Sequence, residues 1–143
     1  SSDLEQKPNV KQKNLKSKYL KVQKDNNVIF KRKKKIKSVR FLKEKEQIIK
    51  EKLGKAIELI EGKTEEWLMI GFEDNYKLYF KGEELEKVAF IEIKIFGQAS
   101  KESYDKLTVE VCNIFHSELD IPSNKIYIVY DEVKTWGWNG MNF

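Results

Sequence analysis

The chain has 143 residues, 40% hydrophobic and 12% aromatic, which is the size and composition of one domain with a single hydrophobic core. No apolar run approaches the roughly 18 residues of a membrane span, and no secretory signal pattern is present, so we expect a soluble, cytoplasmic protein. Cys112 is the single cysteine, which excludes an internal disulfide; without a CxxC pair, no metal site, thiol-redox site or cofactor is predicted.

The positive charge of the chain is concentrated at its start. Residues 1–38 contain 13 Lys and Arg against 3 Asp and Glu, whereas the rest of the chain has a small net negative charge. Residues 1–27 show almost no aliphatic periodicity, so they cannot bury enough apolar surface to offset the entropy of ordering. We therefore predict a basic, disordered or irregular N-terminal extension over residues 1–38 and a folded domain over residues 39–143.

After residue 43 the sequence has the pattern of an amphipathic helix followed by a strand. Apolar residues recur at spacings of three and four over Ile49–Ile60, and Gly62 is suited to end the helix. Residues 67–72 form a short apolar run between polar turns, which predicts a buried strand. Residues 77–80 are predicted as a short strand or hairpin arm.

A second strand, helix and strand follow in the same order. Residues 88–96 are rich in Val, Ile and Phe, which predicts a strand. Ser100 is the candidate N-cap of a helix whose apolar face runs over Tyr104–Phe115, and this helix must end before Pro122. Residues 126–130 predict the last strand.

The two halves of the domain match each other at a shift of 58 residues. Two unrelated helix–strand pairs would align somewhere by chance, but the number of apolar matches favours a duplication. Two strand–helix–strand units with right-handed crossovers predict an α+β domain with a four-stranded mixed sheet and both helices on one face. The other face would be apolar, which predicts self-association. The matched pairs are Ile49 and Leu107, Leu53 and Val111, Ala56 and Ile114, Ile57 and Phe115, Leu68 and Ile126, Ile70 and Ile128, and Phe72 and Tyr130.

The first strand of this duplicated architecture is altered. The same shift places the strand at 88–96 on residues 30–38, which include the five consecutive cations Lys31 to Lys35. A fully buried strand cannot carry such a run, because desolvating each unpaired charge costs several kcal/mol. We expect the first strand to lie elsewhere, to be short, or to lie at an edge. Residues 28–30 and the alternating pattern of residues 36–41 are the two substitutes.

A set of short motifs then occurs in a specific order from Lys43 to the end of the chain. The motifs are Gly62-Lys63, Ser103-Tyr104-Asp105-Lys106-Leu107, Lys125-Ile126-Tyr127-Ile128, Trp136-Gly137-Trp138-Asn139 and the final Phe143. Through them the chain resembles the tautomerase superfamily, and in particular macrophage migration inhibitory factor and its bacterial relatives. The resemblance implies two β-α-β units per subunit and a homotrimer that packs three sheets around a central channel.

The resemblance also implies an activity, the keto–enol tautomerisation of α-keto acids such as phenylpyruvate. The base in this family is an N-terminal proline, whose amine stays neutral near pH 7 in an apolar pocket. The prolines of this chain are Pro8 and Pro122, and the position aligned with the family's proline is near Lys31. We therefore expect the principal base to be absent and the activity to be weakened.

Other parts of the family's site have counterparts in this chain. Lys63 matches the lysine that attracts the substrate carboxylate, and Tyr127 matches a tyrosine contributed by a neighbouring subunit, so the resemblance implies catalytic roles for both. It implies no metal and no cofactor. The substrate-binding positions that it implies are Ile93, Trp136, Trp138 and Phe143.

Three interpretations stay open from the sequence, and whether the chain is an enzyme is among the open points. The first is a trimeric tautomerase with weakened activity on a small α-keto acid. The second is a non-catalytic, cytokine-like or binding protein on the same scaffold. The third is that the upstream residues are a misread or fused leader and that the natural protein starts near the helix with its proper strand. The lysine run lacks interleaved aromatic residues and a nucleic-acid-binding motif, so neither nucleic acid nor a membrane is predicted as a partner.

Overall fold

The computed structural model describes residues 26–33, 39–73 and 76–142. Over these residues the chain forms one four-stranded sheet, two long helices and two short hairpins. The sheet contains β1 (Asn26–Lys33), β2 (Leu68–Glu73), β5 (Val88–Phe96) and β6 (Ile126–Val133), the helices are α1 (Val39–Ala56) and α2 (Lys101–Leu119), and the hairpins pair β3 (Tyr79–Phe80) with β4 (Glu83–Glu84) and β7 (Gly137–Trp138) with β8 (Met141–Asn142).

The sheet has the strand order β2-β1-β5-β6. The pairs β1–β2 and β5–β6 are parallel, and β1 is antiparallel to β5. Each long helix connects the two strands of a parallel pair, as such pairs require. The chain therefore consists of two β-α-β units joined side by side through β1 and β5, and the predicted α+β fold is confirmed.

Both helices pack against the same face of the sheet. Ile49 and Leu53 of α1 and Leu107, Val111 and Phe115 of α2 are each at most 3% exposed, and they form one cluster with strand residues. Removal of this apolar surface from water is the main stabilising contribution to the fold. Alternate residues of β5 point into the cluster, namely Ala89, Ile91, Ile93 and Ile95.

The predicted ends of the second helix are confirmed. The hydroxyl of Ser100 accepts a hydrogen bond of 3.1 Å from the Ser103 backbone N–H, which caps the first turn. The helix ends at Leu119, and Asp120 follows in the left-handed conformation with φ 58°. Pro122 comes directly after this turn, where it cannot extend the helix.

The first strand lies five residues upstream of the position that the repeat predicts. Leu68 and Ile126 are equivalent at the 58-residue shift, and their register partners are Asn26 on β1 and Ala89 on β5. Asn26 and Ala89 are therefore equivalent, and they are 63 residues apart in the chain. The unit containing α1 thus has five more residues than its counterpart between its first strand and the part of its helix that matches α2, and four of these five are the first residues of α1.

The predicted substitute at residues 28–30 forms part of this strand, whereas the alternative at residues 36–41 is wrong because α1 begins at Val39. β1 is not an edge strand, since it pairs with β2 on one side and β5 on the other. Three cations of the run, Lys31 to Lys33, enter the strand at its C-terminal end, and its pairing with β2 stops at Lys31. We propose that the domain begins at Asn26; the rest of the expected extension, residues 1–25, lies outside the described residues.

The two hairpins share one turn geometry. In each, a two-residue loop has positive φ at both positions: 54° and 81° at Lys81 and Gly82, and 54° and 78° at Asn139 and Gly140. These are the angles of a type I′ turn, for which Asn-Gly is a strong sequence signal. The C-terminal hairpin was not predicted from the sequence, although Asn139-Gly140 is the dipeptide that indicates such a turn.

A carboxylate bridges the two helices. Glu118 of α2 accepts hydrogen bonds from the ammonium groups of Lys52 (2.5 Å) and Lys45 (3.3 Å) of α1, and its side chain is 12% exposed. The hydrogen bond from Lys52 lowers the pKa of Glu118, and the bond from Lys45 acts in the same direction, against the opposing effect of burial. The ionised carboxylate is therefore favoured in the folded state.

We expect Glu118→Gln to lower the unfolding midpoint Tm more at pH 7 than at low pH. Because the folded-state pKa of Glu118 lies below its unfolded value of about 4.3, its contribution is present above that pH and is lost as the pH falls through the folded pKa. Thermal unfolding followed by circular dichroism between about pH 3 and pH 7 measures this. Asp105→Asn, in the exposed pair with Lys101, is the control and should change Tm little. A Tm difference that does not depend on pH would contradict the assignment.

Candidate functional site

Lys63 lies at the end of the sheet where β1 and β2 begin and β5 ends. Its backbone N–H donates to the Ile60 carbonyl at 3.1 Å, and Gly62 before it has φ 84°, so the chain turns sharply after the helix. The Lys63 ammonium donates to the Phe96 carbonyl oxygen at 2.9 Å. Asn26 is opposite Ile95 in the antiparallel ladder, so the ammonium lies close to the first residue of β1.

Aromatic side chains gather at the same end of the sheet. The buried ring of Trp136 lies 6.3 Å from the ring of Phe96, whose carbonyl holds Lys63. Trp138 is 39% exposed, and its ring meets that of Trp67 edge-on, with the ring centroids 5.4 Å apart. Trp67 is the residue immediately before β2. Three predicted site residues, Lys63, Trp136 and Trp138, are therefore brought to one end of the sheet.

Tyr127 lies towards the opposite end. It is opposite Phe90 in the parallel register of β5 and β6, and Phe90 is six residues before Phe96 on the same strand. At about 3.3 Å per residue, this places Tyr127 about 20 Å from the level of Lys63 along the sheet. One small ligand cannot contact both residues of one chain, so a site that includes both needs a second copy.

Of the two remaining predicted residues, the structure describes Ile93 and does not bring it to this place. Ile93 is 1% exposed and belongs to the core on the helix-facing side of β5, level with Val28 and Tyr130. Phe143 lies outside the described residues. Their substrate-binding roles stay predictions.

The face of the sheet that turns away from the helices, called here the open face, carries both aromatic and charged groups. Alternation along β5 and β6 places Phe90 and Tyr127 on it near one end and Lys94 and Asp131 towards the other end, where their charged groups are 3.1 Å apart. The expectation of an apolar open face is therefore wrong for the described side chains. The reason is local, because the outward positions of both strands mix charged residues such as Lys94 and Asp131 with apolar ones such as Phe90.

Tyr127 is surrounded by groups that the sequence analysis did not single out. The ring of Phe80 meets it edge-on, with centroids 5.4 Å apart and planes at 84°, and Phe90 is 6.5 Å away. The ammonium groups of Lys81 and Lys125 are each 5.6 Å from the Phe80 ring centre. Phe80 was missed because it lies on a two-residue strand, and the turn at Lys81-Gly82 was the one signal near it.

A separate set of polar groups joins α2 to β6. The Tyr104 hydroxyl donates to Glu132 at 2.6 Å, and the Tyr130 hydroxyl bonds to Thr108 at 2.7 Å. Burial, and then the bond to Glu132, raises the pKa of Tyr104, and burial raises the pKa of Tyr130. Tyr104 and Tyr130 pack against the core, so we assign this set to stability. No group of His, Cys, Asp or Glu in the described part of the chain could hold a metal ion.

Comparisons with known proteins give one family. Residues 43–143 match the family model described as macrophage migration inhibitory factor (MIF). Leishmania major MIF2 is 21% identical with a TM-score of 0.73, covering 85% of this chain and 99% of that one. The MIF-like protein EhMIF of Entamoeba histolytica is 20% identical with a TM-score of 0.65, covering 82% and 98%. A fused 4-OT asymmetric trimer is 12% identical with a TM-score of 0.68, covering 80% and 94%.

None of the curated protein sequences matches the chain. The helices that the structure describes include none with the length and apolar character needed to cross a membrane.

Proposed function

This chain belongs to the macrophage migration inhibitory factor family, and from that premise we propose that it forms a homotrimer whose sites lie between subunits and bind a small α-keto acid of the phenylpyruvate type. The observation that carries the proposal is the separation of Lys63 and Tyr127 at opposite ends of one sheet. A neighbouring subunit would supply the tyrosine to the site that contains the lysine. The trimeric assembly named for the similar 4-OT structure is consistent with this arrangement.

The groups near Lys63 suit such a ligand. An ammonium attracts a carboxylate through a charge-assisted hydrogen bond, and Lys63 is held at the strand ends by the Phe96 carbonyl. Trp138 and Trp67 supply aromatic surface at the same end of the sheet, where the buried ring of Trp136 packs against Phe96. This combination of one cation with several rings favours a carboxylate that carries an aryl group.

We further propose that tautomerisation is weakened because the proton-abstracting proline is replaced. Asn26 is the first residue of β1, so it stands nearer to the family's proline position than Lys31, to which the repeat pointed. The nitrogen of Asn26 is part of a peptide bond in this chain and has no basic lone pair. Loss of a general base costs about 10² to 10⁴ in rate.

The same observation favours a second function, a non-catalytic binding protein on the same scaffold. Without a base at the start of β1, the site between subunits would retain Lys63 and its aromatic neighbours as binding groups. Binding of phenylpyruvate without turnover is the result that this alternative predicts.

We expect subunits carrying Lys63→Ala and subunits carrying Tyr127→Phe to restore activity to each other when they are co-refolded. Every mixed trimer has one interface at which an intact Lys63 faces an intact Tyr127, so an equal mixture should show about a quarter of the parent's activity. The measurement is phenylpyruvate enol–keto conversion followed by ultraviolet absorbance. Where the parent shows no turnover, phenylpyruvate affinity measured by calorimetry replaces the rate.

Each variant refolded alone is the control for this experiment. Lys55→Ala, which removes an exposed lysine in the last turn of α1, should leave the parent's activity unchanged. A mixture no more active than the average of the two separate variants would contradict a site shared between subunits.

A further inference from the structure

We propose that Phe80 is a positioning residue for Tyr127, so that each subunit presents an aromatic pair, and not a lone tyrosine, to the site of its neighbour. This inference rests on the proposed function for the role of Tyr127 in a ligand site. The contact between the two rings is independent of that role.

The geometry of the pair is the first support. Phe80 and Tyr127 lie 47 residues apart in the chain, yet their ring centroids are 5.4 Å apart with planes at 84°. Edge-to-face geometry at this distance is favourable because the positive edge of one ring meets the negative face of the other. Phe90, at 6.5 Å and 65°, makes the weaker contact.

The exposure of Tyr127 explains why a positioning contact is needed. Its side chain is 57% exposed in the single chain, although it is on a strand of the main sheet. An exposed side chain exchanges freely between rotamers, and ordering it on ligand binding costs free energy. A ring fixed against one side of Tyr127 reduces that cost before any ligand or neighbouring subunit arrives.

Phe80 is itself well fixed. It ends β3 directly before the type I′ turn at Lys81 and Gly82, and its register partner is Glu83 on β4. Two ammonium groups, those of Lys81 and Lys125, lie 5.6 Å from its ring centre, a distance at which cations are attracted to an aromatic face. Lys125 is also two residues before Tyr127 in the chain, so one of these ammonium groups and the Tyr127 ring contact Phe80 from the same strand and its start.

The test compares Phe80→Leu with Tyr79→Leu in the full chain. The two residues are neighbours on β3 and point to opposite sides; Tyr79 is 62% exposed, and the Lys77 ammonium lies 5.8 Å from its ring centre. We expect Phe80→Leu to shift the ring resonances of Tyr127 in NMR spectra, because the ring current of Phe80 is lost. Phenylpyruvate affinity should fall about three- to tenfold, the range for loss of one aromatic pair. Phe80→Tyr should restore both readouts, and Tyr79→Leu should change neither.

The outcomes separate this inference from the proposed function. Nuclear Overhauser contacts between the Phe80 and Tyr127 rings in the unsubstituted chain test the pairing even if Phe80→Leu fails to fold. Missing contacts, or Tyr127 resonances that move as much in Tyr79→Leu as in Phe80→Leu, would overturn it. A parent chain that binds no phenylpyruvate but shows the contacts and the selective shift would refute the proposed ligand and leave the positioning role standing.

Discussion

A chain that begins at residue 26 and carries Asn26→Pro is expected to convert phenylpyruvate enol to the ketone about 100-fold faster than the full chain, or more. Residue 26 is the first of β1, and Lys63 lies beside this end of the strand through its bond to the Phe96 carbonyl. A proline there has a free secondary amine, which can accept a proton once it is neutral. The apolar rings at this end of the sheet would lower the pKa of that amine by disfavouring its charged form.

The matched control is a chain that begins at Asn26 without the substitution. It separates the effect of the new amine from the effect of removing residues 1–25, and it should gain far less activity than the proline variant. The rate should also rise with pH through the pKa of the proline amine, which only the variant contains. A folded proline variant that is no faster than the Asn26 control would contradict the placement of the base at this residue.

Phe115→Ala is expected to have the largest effect on stability, a loss of about 3 to 5 kcal/mol in the free energy of unfolding. Phe115 is fully buried on α2, within the core that joins both helices to the sheet. Removing its ring loses transfer free energy and leaves a cavity that the surrounding side chains can fill only in part. Because a domain is typically stabilised by about 5 to 15 kcal/mol, this loss is about a fifth or more of the total.

Urea unfolding monitored by tryptophan fluorescence measures this change, since the midpoint should fall while the slope stays constant. Val109→Ala on the same helix is the control, because Val109 is 61% exposed and its loss should cost about 0.5 kcal/mol or less. Similar losses for both variants would show that α2 does not bury the face that contains Phe115.

The sequence was sufficient to predict the helices and strands wherever the spacing of apolar residues shows which positions are buried. The apolar spacing of the second unit predicted β5, the Ser100 cap and the end of α2 before Pro122, all of which the structure confirms. The duplication predicted the two β-α-β units because core positions recur in both. These features depend on local pattern and on the requirement that apolar faces be buried.

The sequence was insufficient where position depends on register. The repeat pointed to residues 30–38 for the first strand, but the ladder with β2 and β5 begins at Asn26, because the first unit has five extra residues between its strand and the part of α1 that matches α2. Aligning the two units at one constant shift cannot reveal such an insertion when the inserted unit's strand has few apolar residues to match. The same limitation placed the family's proline position near Lys31.

The candidate site was predicted unevenly for a related reason. Lys63, Trp136 and Trp138 follow motifs in the chain, and the structure brings them to one end of the sheet. Phe80 belongs to no motif and reaches Tyr127 only through tertiary packing. Ile93 was assigned by alignment to a pocket wall, whereas the two-residue alternation of β5 turns it towards the helices.

Because β1 lies between β2 and β5, this one strand connects the two β-α-β units within the sheet. In the described part of the chain, the strands of one unit are joined to those of the other by the hydrogen bonds between β1 and β5. If this strand withdrew, β2 and β5 would each present a bare edge, and such edges pair readily with strands of other molecules. The pairing of residues 26–33 on both sides therefore keeps two strand edges of the sheet from being exposed.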